Sequence, residues 1–95
     1  MLSSRQIQTI IEVLKPYNPK KISVFGSVAR EQENSDSDID ILYLFNEPIS
    51  LFQKASIKEN LEQRLNKGVD LVSEKHLTTD FKNAIQPDLK IIYGN

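Results

Sequence analysis

Ser37-Asp38-Ile39-Asp40-Ile41-Leu42-Tyr43-Leu44-Phe45 is the stretch that decides how this chain folds. From Ile39 to Phe45 every residue except Asp40 is apolar, and Pro48 follows shortly after as a stop. A short continuous apolar run of this kind predicts a strand covered on both faces, and therefore a sheet with helices packed against it. The one interruption is a carboxylate, and a second, Asp38, stands two residues earlier. On extended chain these two side chains share a face at about 6.6 Å along the strand. Like charges so placed repel unless a cation sits between them. Carboxylates at this spacing suit a two-metal site, whose ions lie about 3.5–4 Å apart. Taken alone, an Asp-x-Asp pair reads first as two solvated acids ahead of a strand.

Working outward towards the N-terminus, Gly26-Ser27 closes a shorter strand in which Ile22 and Val24 alternate with Lys21 and Ser23 up to Phe25. Before it, Tyr17-Asn18-Pro19-Lys20 is turn chemistry. Earlier still, Ser3 and Gln6 form a capping-box pattern ahead of Ile7, Ile10, Ile11 and Leu14, which predicts an amphipathic helix ending before Pro16. After Gly26-Ser27, residues 28–33 have helix propensity but few apolar side chains, so at most a short helix is expected there. A glycine between strand and helix lets the backbone approach an anion while the free N–H groups of the helix start face it. Ser27 adds a hydroxyl, and Arg30, one turn on, is placed to meet a phosphate, although surface exposure explains an arginine equally well.

Towards the C-terminus, Ser56 and Glu59 repeat the capping-box pattern before an apolar stripe, Ile57, Leu61 and Leu65, and Gly68 is a suitable helix end. Val69-Asp70-Leu71-Val72 then predicts a third strand, again interrupted by a carboxylate. An unpaired acid in a buried strand costs several kcal/mol unless it is protonated, paired or metal-bound. An edge-strand acid facing water, or a partner for Lys67, is the plainer account of Asp70. A helix around residues 81–85 and an apolar tail through Leu89, Ile91, Ile92 and Tyr93 complete the chain, the tail being readable as strand or helix. Helices alternate with strands throughout, which predicts an α+β (mixed α/β) fold: a small three-stranded mixed sheet with helices packed against it.

The 95 residues have room for a single domain, 1–95, with a modest core and an open site at one edge. Twelve Lys+Arg against thirteen Asp+Glu give a net charge of -1 spread along the chain, which argues against phosphate-driven binding of long nucleic acid. No cysteine is present, and neither a signal-peptide pattern nor a membrane-length apolar run occurs, so a cytoplasmic protein is expected. Asp36, Asp38, Asp40 and Glu47 match positions of a calcium-binding EF-hand loop, but Ile41 stands where that loop needs glycine and residues 42–45 are strand-like. His76, the only histidine, reads as a surface or helix-start residue. Tyr17, Tyr43 and Tyr93 read as packing residues, any one of which could stack on a base.

Together, Phe25-Gly26-Ser27-Val28-Ala29-Arg30, Ser37-Asp38-Ile39-Asp40-Ile41-Leu42 and Val69-Asp70-Leu71-Val72 resemble the minimal nucleotidyltransferases of the DNA polymerase β superfamily. Gly26-Ser27, ten intervening residues and Asp38-Ile39-Asp40 match that family's G-S-x10-D-x-D signature. The resemblance implies that Asp38 and Asp40 bind Mg²⁺ and that Asp70 completes the metal site and helps deprotonate the acceptor. It implies that Gly26 and Ser27 hold the β- and γ-phosphates of ATP, with Arg30 as a further nucleotide contact. One departure is Glu31, where the family often has glycine. Members of this size resemble antitoxins paired with HEPN-family ribonuclease toxins, which implies transfer of AMP to a toxin tyrosine. The alternative is an antitoxin that neutralises by binding, with weak or lost catalysis. Transfer to a small molecule would need a separate acceptor-binding surface.

Overall fold

The computed structural model describes residues 2–26 and 38–94. The first helix, α1 (Ser4–Leu14), begins where the sequence places it: Ser3 Oγ accepts from Gln6 N–H at 3.1 Å and Gln6 Oε1 accepts from Ser3 N–H at 2.9 Å. A 3₁₀ turn through Pro16 follows, and Asn18, at φ +59°, reverses the chain into strand β1 (Pro19–Phe25). An amide side chain tolerates that left-handed conformation better than most.

Strand β2 (Ile39–Phe45) pairs antiparallel with β1 on one side and parallel with β3 (Val69–Ser73) on the other. The parallel pair is joined by helix α2 (Leu51–Leu65), as a parallel connection requires. After β3, helix α3 (Thr79–Ile85) leads to β4 (Lys90–Gly94), which pairs antiparallel with the outer side of β1. The sheet therefore has four strands in the order β3-β2-β1-β4, one more than expected. The apolar tail becomes a strand because β1 offers a free edge and α3 returns the chain to it.

Both faces of β2 are covered, as its composition requires. Ile39, Ile41 and Tyr43 face α1 and α2, where Ile10, Leu14, Ile57 and Leu61 complete the main core. Leu42 faces the other way, with Phe25 and Ile85 of α3 in a smaller core that Val72, Leu77 and Leu89 border. Tyr43 lies 4.8 Å from Phe45, and Tyr17 lies 6.3 Å from Phe45, between ring centroids. With Tyr93 packed against the main core, all three tyrosines serve packing. Among the described residues no helix is long and apolar enough to cross a membrane.

Helix α2 starts earlier than the Ser56–Glu59 pattern indicates. Its cap is Ser50, whose Oγ accepts from Gln53 N–H at 3.1 Å while Gln53 Oε1 accepts from Ser50 N–H at 2.8 Å. Two S-x-x-(E/Q) patterns compete, and the upstream one wins because Leu51, Gln53, Lys54 and Ala55 are all good helix formers. Its other end also differs: Asn66, at φ +54°, caps the helix, and Gly68 lies outside it. Ser50→Ala should cost about 1 kcal/mol of stability through loss of the cap. Ser56→Ala, on the exposed helix surface, should change stability by no more than about 0.5 kcal/mol. Urea unfolding of the two variants checks the assignment.

Candidate active site

Asp40 and Asp70 stand side by side. The β2–β3 register pairs Asp40 with Asp70, and the β1–β2 register pairs Phe25 with Asp40, so all three side chains emerge on the face that α3 partly covers. Two residues further along the same face, Leu42 and Val72 are already under α3. The acids thus occupy the end of this face that α3 leaves open, where β2 and β3 begin and β1 ends.

Local bonds hold this end in register. Ile39 N–H donates to Gly68 O at 2.9 Å, carrying the parallel pairing back to the residue before β3. Glu62 of α2 reaches back, and its Oε2 accepts from Val69 N–H at 2.9 Å. That bond satisfies the first donor of β3 and fixes where Asp70 emerges.

Asp40 and Asp38 each lie against a glycine. Asp40 is half-buried, and its carboxylate occupies the space that a Cβ on Gly26 would enter. Asp38 is exposed, just ahead of β2, and its carboxylate fills the corresponding space beside Gly68. Gly26 has a second reason to be glycine, a φ of +77°. Gly68 has none, so its role is to admit Asp38 and not to end a helix. Sequence reading missed this; the available signal was a glycine two residues before the third acid, repeating the alternation of Asp38 and Asp40.

Asp70 is exposed on edge strand β3, so the burial penalty expected from its apolar neighbours does not arise. Those neighbours, Val69 and Leu71, face the main core instead. His76 lies at the opposite end of the sheet, exposed, with Nδ1 3.1 Å from Ser73 Oγ. Ser27, Arg30, Glu31, Asp36 and the short helix expected after Gly26 lie outside the described residues.

The donor set is hard oxygen only, which suits Mg²⁺. Among the described residues no group of three acidic or imidazole side chains is arranged to hold a metal ion by itself. Mg²⁺ is commonly held by one or two carboxylates plus substrate phosphates, so a half-built site of this kind fits a metal that arrives with a nucleotide. The two glycine cradles point the same way, since each reserves room for a carboxylate at the open end.

The Polymerase beta nucleotidyltransferase profile matches residues 8–95. Protein adenylyltransferase MntA of Thermococcus cleftensis is 33% identical over 90 residues, covering 90% of this chain and 91% of the relative. The crystal structure of a toxin–antitoxin with AMP-PNP shares the fold, with a TM-score of 0.84 at 24% identity, covering 94% of this chain and 73% of that one. So does the structure of a tri-AMPylated Shewanella oneidensis HEPN toxin in complex with MNT antitoxin, with a TM-score of 0.79 at 22% identity, covering 99% and 74%. The chain belongs to the polymerase β nucleotidyltransferase family.

The glycine cradles lead to opposite expectations for two alanine substitutions. Gly68→Ala pushes only the movable end of Asp38, so stability should stay within about 1 kcal/mol of the parent while nucleotidyl transfer falls. Gly26→Ala also forces a left-handed alanine, which adds about 1–2 kcal/mol of strain. Thermal unfolding beside a transfer assay separates the two effects.

Proposed function

We propose that this protein is a Mg²⁺-dependent protein adenylyltransferase, transferring AMP from ATP to a protein hydroxyl, and that it acts as an antitoxin towards a HEPN-family toxin. The observation that carries the reading is the register of Asp40 with Asp70, with Asp38 two residues upstream of Asp40 on the same open edge. The MntA relative and the AMPylated HEPN toxin bound to an MNT antitoxin support the choice of nucleotide and partner. An open site also fits a protein acceptor, which brings its own binding surface.

In this reading Asp38, Asp40 and Asp70 hold Mg²⁺, which when bound neutralises the triphosphate and favours in-line displacement. Gly26 and Ser27 receive the β- and γ-phosphates, with Arg30 as a further anchor. Asp70, exposed on edge strand β3, accepts the proton of the acceptor hydroxyl. The hydroxyl oxygen bonds to the α-phosphorus, the bond from that phosphorus to the bridging oxygen breaks, and pyrophosphate leaves. The chain works as one domain, and its lack of cysteine suits the reducing cytoplasm.

Purified protein, the HEPN-family toxin and α-labelled ATP should give label on a toxin tyrosine, located by peptide mass spectrometry. The reaction should stop on chelation and resume with added Mg²⁺. Asp38→Ala or Asp40→Ala should lower labelling by about 100-fold or more, the scale of losing a group that stabilises transition-state charge. Neutralisation of the toxin by Asp40→Ala with no modified tyrosine would instead establish an antitoxin that works by binding.

A further inference from the structure

Phe81 is an aromatic residue on α3 that the catalytic reading leaves unused. It is 42% exposed, whereas Phe25 beneath it is 7% exposed. The two rings meet edge to face, with centroids 6.2 Å apart and planes at 89°. Phe25 is the register partner of Asp40, and Asp40's carboxylate leans towards Gly26, the residue after Phe25. Phe81 is therefore separated from Asp40 by one side chain, on the face where Asp40 and Asp70 emerge. The more exposed Leu51 and Phe52 begin α2, which follows the far end of β2, away from the acids.

The ring is also held in place. Thr78 caps α3, and its Oγ1 accepts from the backbone N–H of Phe81 itself at 3.2 Å. Ile85, one helical turn further on, is buried in the same small core and anchors the helix. A partly open ring whose backbone is held by the cap and which already packs against Phe25 loses little entropy when a flat ligand stacks on it. The tyrosines, by contrast, are spent on packing.

We propose that Phe81 is the stacking platform for the base of the donor nucleotide. The inference rests on the nucleotidyltransferase reading and extends it to base recognition. Every base has a π-face, so such a platform favours large rings over small ones without selecting sharply between adenine and guanine. Phe81 contacts substrate without taking part in bond making, so its removal acts on nucleotide affinity more than on turnover.

The chain contains no tryptophan, so Phe81→Trp installs a single fluorescent indole at this position. ATP and AMP should quench that fluorescence saturably, and tripolyphosphate, which lacks a base, should not. Phe81→Leu keeps an apolar cover over Phe25 but removes the stacking face, and should raise the KM for ATP about tenfold. Its kcat and its KM for the protein acceptor should stay within about twofold, and Phe81→Tyr should restore the KM for ATP. An indole blind to ATP, an unchanged KM for ATP in Phe81→Leu, or a rise confined to the acceptor's KM would each overturn the proposal. If the parent protein labels its partner while any of these holds, only the base platform fails. If the parent neither binds ATP by calorimetry nor labels the partner, the nucleotidyltransferase reading fails with it.

Discussion

Everything in this structure hangs on the double pairing of β2. One edge of that strand is bonded antiparallel to β1 and the other parallel to β3, so its register is set twice. A slip by one residue would turn Ile39, Ile41 and Tyr43 away from α1 and α2 and drive Asp40 into the main core. The hydrophobic cost of that slip protects the positions of the acids. The geometry of the candidate site is a by-product of core burial: Asp40 faces outward because its two neighbours must face inward.

The two pairings also explain why the acids meet where they do. An antiparallel β1 ends where β2 begins, and a parallel β3 begins at that same end. The Gly26 turn, the Asp38–Asp40 segment and Asp70 therefore share one edge, although 44 positions of numbering separate Gly26 from Asp70. Glu62 tightens the arrangement from outside the sheet, joining α2 to the first amide of β3. Helix α3 then determines how much of the face remains usable. It buries Leu42 with Ile85 and stops short of the acids, leaving Phe81 at the boundary between covered and open surface.

Two glycines illustrate how a local rule can be displaced by a distant contact. Gly68 follows an apolar helical stripe and has the position of a helix stop, yet Asn66 takes that role in the left-handed conformation. What Gly68 provides is space for the carboxylate of Asp38, thirty positions earlier in the chain. Gly26 combines a left-handed turn with the same service to Asp40. Absence of a side chain at these two places is as much a part of the site as the acids are.

The amino-acid sequence alone was enough to establish the first helix and its cap, the three acid-bearing or acid-adjacent strands, and the family, because these depend on local periodicity, capping chemistry and motif spacing. It also identified Asp38, Asp40 and Asp70 as the residues to examine. Three matters were settled only in the folded chain. The tail from Lys90 became a fourth strand because β1 had an edge to fill. Asp70 proved exposed and in register with Asp40, which strand pairing decides and strand composition does not. Phe81 came to lie over Phe25, one side chain away from Asp40, through the path of α3 between β3 and β4. Each of these depends on contacts between residues far apart in the chain, which no local pattern encodes.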